Sequence, residues 1–129
     1  MINMQIKFVK IFPYLLFYTD KLPEGFAGCA NAFVVRIRPA YKDDVGLGVH
    51  EAQHILHWWY SLGFSSILYL LSKRFRLWAE VKCYKVQLEY AADRDLARRS
   101  FAIRLATHYN LGITVGEALI ALGGQDVYE

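Results

Sequence analysis

His50 and His54 stand four residues apart in the segment His50-Glu51-Ala52-Gln53-His54. On a helix that spacing puts both imidazoles on one face, where they can converge on one metal ion. Glu51 is turned from His50 by about a quarter of the helix circumference, so its carboxylate can reach an open coordination position and take a proton from water. Zinc lowers the pKa of a bound water toward about 7, which suits hydrolysis at neutral pH. The expected chemistry is therefore zinc-dependent hydrolysis, with His50 and His54 as ligands and Glu51 as general base. The plainer alternative is a pair of ordinary histidines on an amphipathic helix. His57 shares their face but lies about 10 Å from His50 along the axis at a rise of about 1.5 Å per residue, too far for one metal to take all three. It reads as a core or cleft-lining residue.

The elements that must position these groups are legible around them. Asp43 or Asp44 can cap a helix from Val45 to about Tyr60, interrupted by Gly63, Ser65 and Ser66. Ahead of it Phe33, Val35 and Ile37 alternate with Val34, Arg36 and Arg38 until Pro39. That pattern predicts a strand whose first set faces the core and whose edge borders the metal cleft. Residues 5–18 read as one or two short strands broken at Pro13, and residues 19–31, with Pro23, Gly25 and Gly28, as a loop. A second helical pattern runs from Ser66 to Ala92 with a break near Lys73, and Leu77, Val81, Tyr84 and Leu88 form its apolar stripe. A third helix spans Asp93–Tyr109, ended by Asn110 and Gly112. Thr114 and Glu117 make a capping box for a last helix ending at Gly123-Gly124. The class is α+β: a helix-rich domain with a small N-terminal sheet.

A chain of 129 residues fits one domain, 1–129, and its 55% hydrophobic content, with Trp58, Trp59 and Tyr60 in a row, supplies a core with apolar surface to spare. The net charge of +3 is spread over Lys73–Arg76, Arg94–Arg104 and the N-terminal third, too thinly for a nucleic-acid partner. Cys29 and Cys83 form no CxxC knuckle and read as buried free thiols of a reducing compartment. The run Ile11–Tyr18 and the segment Phe26-Ala27-Gly28-Cys29 outline a lipoprotein leader, but the polar stretch Thr19–Glu24 separates them, so the chain is expected to be unprocessed and cytoplasmic. Residues 55–71 are apolar yet broken by Gly63, Ser65 and Ser66, which argues against a membrane span and leaves peripheral membrane contact through the Trp-rich segment.

A strand, a short acidic turn, the HExxH helix and then a glutamate on a following helix resemble the zincin metallopeptidases over about residues 32–92. The nearest likeness is to the glutamate-zincin branch and its small single-domain versions, including short peptidases encoded by phages. The resemblance implies a zincin-like fold, a peptide or protein substrate and a third zinc ligand, Glu80, in the segment Arg76-Leu77-Trp78-Ala79-Glu80-Val81-Lys82-Cys83, where Cys83 takes the small-residue position. Larger members carry an Asp soon after that Glu to orient a ligating histidine, whereas here Tyr84 occupies the corresponding turn. Glu89, beside Asp93 and Arg94, reads as part of a solvated face. The bland reading of Glu80 is an exposed pair with Arg76, worth about 0.3–0.5 kcal/mol.

Peptide hydrolysis also needs a donor for the developing oxyanion. Tyr84, one turn from Glu80, leads Tyr109, His108 and Arg76 for that role, against the alternative of a core tyrosine. The free edge of the strand Phe33–Arg38 offers a shelf for an extended peptide, and Arg36 and Arg38 would bias it toward acidic ligands. The rival reading is a non-catalytic zinc-binding structural or interaction protein, such as a phage particle component. Glu51 speaks against it, because a purely structural site needs no general base.

Overall fold

A computed structural model of the chain describes residues 4–124. β1 (Met4–Val9) and β2 (Phe12–Tyr18) form an antiparallel hairpin, and β3 (Gly28–Asn31) and β4 (Val34–Ile37) form a second. β2 and β4 run parallel, which joins the hairpins into a mixed sheet of order β1-β2-β4-β3. The first strand pair breaks at Lys10 and Ile11, with Lys10 at φ 53°, and not at Pro13. Pro13 sits inside β2 opposite Phe8, and its carbonyl accepts from Trp59 Nε1.

Three expectations need correction here. Residues 28–31 are a strand, although Gly28, Ala30 and Asn31 carry none of the β-branched signals of one; what orders them is backbone pairing to β4. As a result β4 is interior, and the free edge expected of it belongs to β3. Phe33 lies in the tight turn between β3 and β4, 43% exposed against Trp58, whereas Val35 and Ile37 are buried as expected. A strand only four residues long starts one position later than its alternation suggests.

α1 (Val45–Tyr60) begins where the Asp44 side chain accepts from Leu47 N. Its sheet-facing side inserts Ile55 among Leu16, Val35 and Ile37, with Leu47 and Trp59 at the margin. Its opposite side packs along α3 (Lys73–Leu88). Between them lies α2 (Phe64–Leu71), cut from α3 by the extended backbone of Ser72, whose hydroxyl accepts from Phe75 N and caps α3. α4 (Arg94–Thr107) and α5 (Val115–Ala121) complete the chain, the latter with the Thr114–Glu117 capping box in place. Tyr84, Ala102, Leu105, Leu111, Ala118, Leu119 and Leu122 form a second core on this side. The α1–α3 pair is thus held between two apolar clusters. The class is α+β. Among the described residues no helix is long and apolar enough to cross a membrane.

Ile55 is completely buried between α1 and the sheet. Ile55→Ala should cost about 2–5 kcal/mol in urea unfolding, while Phe33→Ala in the exposed turn should cost about 1 kcal/mol or less. Equal losses for the two would contradict this placement.

Candidate metal centre

Where α1 and α3 lie side by side, their facing turns carry His50, Glu51 and Glu80, all buried. Charged groups removed from water must be paired or they destabilise the fold, so their partners decide what the site is. Glu80 Oε1 is 3.1 Å from His50 Nε2, and Glu80 Oε2 is 3.1 Å from His54 Nε2. The Tyr69 hydroxyl, from α2, donates to the same Oε2. On the far side of His50, Nδ1 donates to Gln87 Oε1 at 2.8 Å. With Nδ1 engaged by Gln87, Nε2 is left facing the Glu80 carboxylate, across a gap that either a proton on Nε2 or a metal ion can bridge.

As donor types, two imidazoles with a carboxylate or a thiolate suit zinc. Ligand atoms bound tetrahedrally at about 2.0–2.1 Å sit about 3.3 Å from one another, close to the 3.1 Å contacts that Glu80 makes with both imidazoles. Gln87 supplies the outer support that ligating histidines ordinarily receive from a carboxylate or carbonyl. It gets there because α1 and α3 approach closely at Gly46, where a Cβ would stand 3.2 Å from Gln87 Cγ. Gly28 does the equivalent for β3: a Cβ there would lie 3.3 Å from Glu51 Oε2, so the strand rests directly on the carboxylate. Glu51 Oε1 is 4.0 Å from His50 Nε2.

Cys83 is a further donor. It lies one turn beyond Glu80, buried, with its sulfur grouped with ring nitrogens of His50 and His54 within 4.8 Å of one another. Its i, i+3 relation to Glu80 put it on the same helix face, a signal the small-residue reading passed over.

Burial raises the Glu51 carboxyl above the usual range, with the neighbouring Glu80 adding to that and the His50 and His54 charges opposing it. For Glu80 burial also pushes upward, but the His54 charge and hydrogen bonds from His50 and His54 outweigh it and hold the carboxyl low. Burial works against charging His54, yet Cys83 and Glu80 raise it well above the ordinary imidazole range. Since burial pushes the Cys83 thiol up to about 12, leaving it neutral, Glu80 is the partner that matters at neutral pH.

A cleft of about 590 Å³ opens over these groups, with β3 along one wall, α2 along another and Phe101 and Arg104 of α4 among its lining residues. His57 lines it as expected, its ring tilted against Trp78 at 4.8 Å; burial and then His54 lower it to about 4, and its Nδ1 has no partner among the described residues. Tyr84 also lines it, edge-on to the His50 ring at 4.4 Å, but its hydroxyl is taken up by Tyr109 at 2.7 Å and Arg104 Nε at 3.2 Å. Of the other donors considered, Arg76 is spent on the carbonyls of Tyr69, Leu70 and Tyr109. His108 is exposed at the end of α4, with Nδ1 on Thr107. Glu89 is an exposed C-cap. Arg38 is not a cleft cation: its guanidinium is tied to Phe26, Asp20, Leu22 and Pro23 of the preceding loop, and Arg36 to Lys21 O. The basic residue lining the cleft is Arg104. Tyr69 and Gln87 went unremarked in the sequence, because only the α2–α3 and α1–α3 packing brings them to Glu80 and His50.

No family profile, curated protein or solved structure matches the chain.

Glu51 and His54 both hold their protons more tightly in the folded chain. Their contributions to stability are full below the unfolded values of about 4.3 and 6.5 and are lost as pH rises through the folded ones. Glu80 runs the other way, contributing above about 4.3 and losing that contribution on acidification. His57, lowered to about 4, adds stability above about 6.5 and loses it on acidification, so the metal-free protein should melt highest near about pH 6 and lower toward about pH 9, and excess zinc should flatten the alkaline decline. Calorimetry without metal that shows Tm rising from about pH 6 to 9 would contradict this charge arrangement.

Proposed function

We propose that the chain is a zinc-dependent hydrolase, a peptidase of HExxH type, in which His50, His54 and Glu80 hold the metal and Glu51 is the general base. The observation that supports it most is the Glu80 carboxylate, which arrives from a separate helix to span both Nε2 atoms of the motif at 3.1 Å. An ordinary pair of helix histidines has no need of a buried carboxylate between them. A salt bridge with Arg76, the bland alternative for Glu80, is absent among the described residues, and Arg76 is engaged elsewhere.

Bound there, zinc supplies a Lewis acid that polarises a carbonyl and acidifies water. The chain's own residues do the rest. Glu51 is buried in the wall of the cleft with its carboxyl raised by burial, in place to accept a proton and return it to a leaving amine. Gln87 holds the His50 ring in the tautomer that presents Nε2, and Tyr69 keeps the Glu80 carboxylate oriented. Tyr84, proposed as electrophilic donor on its position after Glu80, instead buttresses His50 while Tyr109 and Arg104 occupy its hydroxyl. The shelf for an extended peptide is the outer edge of β3, which lies over Glu51 and lines the cleft.

Cys83 favours a second reading. With its thiolate as a fourth protein ligand, the zinc site would be closed, as in structural sites, and the chain would be a zinc-stabilised interaction protein. Glu51 beside an open cleft weighs against it.

The purified chain should carry close to one zinc, lost in His54→Ala. Glu51→Gln should keep fold and zinc but lose about 10²–10⁴ in hydrolysis of a mixed peptide library and cell-wall peptides. Equal turnover in both proteins would refute Glu51 as the base, and zinc bound without turnover in the wild type would favour the closed site.

A further inference from the structure

We propose that α2 and the corner between α1 and α2 form a docking surface for an anionic lipid bilayer. α2 is inside out for a helix of a water-soluble fold. Such a helix normally turns an apolar stripe inward and polar residues outward. Here the one buried residue of α2 is Ser65, while Phe64, Ile67, Leu70 and Leu71 face solvent. Leu62, at the preceding corner, is 88% exposed, and Leu70 and Leu71 are 74% and 81% exposed. Leu62 also has φ 53°, a left-handed conformation that glycine or asparagine would adopt at less cost, so the turn itself gives no reason for a leucine. Apolar patches of this kind on a monomer mark interaction surfaces. Beside this patch Trp58 and Trp59 are partly exposed, Trp59 bonded to Pro13 O and stacked on Phe12, and Trp58 packed against Phe33 and Gly63.

Charge identifies the occupant. No acidic residue occurs between Glu51 and Glu80, so α2 and the corner before it bring no carboxylate of their own. Directly after α2 stand Lys73 and Arg74, both exposed and without a carboxylate partner among the described residues. They occupy the first turn of α3, the positive end of that helix, where a cation is unfavourable for folding. At the other end of the patch Lys10 Nζ sits 3.4 Å from the Tyr60 hydroxyl. Leucines and a phenylalanine rimmed by unpaired cations match a membrane interface, with acyl chains for the first and lipid phosphates for the second. A second copy of the chain fits less well, since a two-fold contact presents the same patch from both sides and would set cations against cations with no acidic residue of α2 or its corner to meet them. Because α2 also walls the cleft, docking would hold the cleft at the bilayer surface; only that consequence, a membrane-proximal substrate, rests on the proposed peptidase reading.

The test is flotation of the full chain with vesicles of phosphatidylcholine and phosphatidylglycerol in equal parts, against vesicles of phosphatidylcholine alone, with melting curves for every variant. Neither measurement reads hydrolysis or zinc, so failure here is separate from failure of the proposed activity. The wild type should float with the anionic vesicles, and salt should weaken the association. The exposed pair Leu70→Ser with Leu71→Ser should bind about tenfold or more weakly at unchanged Tm. Lys73→Glu with Arg74→Glu should lose at least about tenfold in binding while melting no lower, because the new carboxylates suit the α3 N-terminus. The proposal is overturned if the chain floats with neither vesicle, if it floats equally with both and the charge reversal has no effect, or if it is a dimer that the leucine variant dissociates.

Discussion

Glu80 is a carboxylate without solvent, and the arrangement of three helices follows from satisfying it. His50 and His54 come from α1 and Tyr69 from α2, while the acid itself comes from α3. Removing one partner from a buried charged cluster costs about 3–5 kcal/mol, because the remaining charge is stranded. The same contacts that could bind a metal therefore also fix the register of α1 against α3. The close approach at Gly46, which brings Gln87 to His50, belongs to that register. A metal ion would relieve the constraint, since it takes the lone pairs of both imidazoles and the charge of the carboxylate at one point.

Much of this was legible in sequence where the signal is local. The Asp44 cap, the α1 span, the Thr114–Glu117 capping box and the apolar set Val35 and Ile37 follow from period and side-chain chemistry. Glu80, expected as a third ligand, lies 3.1 Å from Nε2 of each histidine, and its role toward a metal is part of the proposal. What was not legible depends on partners distant in the chain. β3 has the composition of a loop and becomes a strand only because β4 offers it a ladder, and with that the free edge of the sheet moves to β3. Gln87 and Tyr69 carry no motif at all. Cys83 did carry one, its place one turn past Glu80, but its small side chain suggested packing before ligation.

The two walls of the cleft differ in character. β3 is short, small-residued and hydrogen-bonded on one side only, which leaves an edge of backbone donors and acceptors above Glu51. α2 is short and outwardly greasy, joined to the site through Tyr69 and to the body of the fold through the Arg76 clamp on the carbonyls of Tyr69 and Leu70. Whatever contacts the leucines of α2 is thus one side chain away from the Glu80 carboxylate.

The central claim is that Glu80, with His50 and His54, makes the metal site, and Cys83 is its sharpest competitor. X-ray absorption of the zinc-loaded chain decides between them, because a thiolate scatters at about 2.3 Å and nitrogen or oxygen ligands at about 2.0–2.2 Å. The account predicts a first shell of nitrogen and oxygen only, with two imidazoles and an unchanged spectrum in Cys83→Ala. A sulfur ligand at about 2.3 Å that disappears in that variant would contradict it.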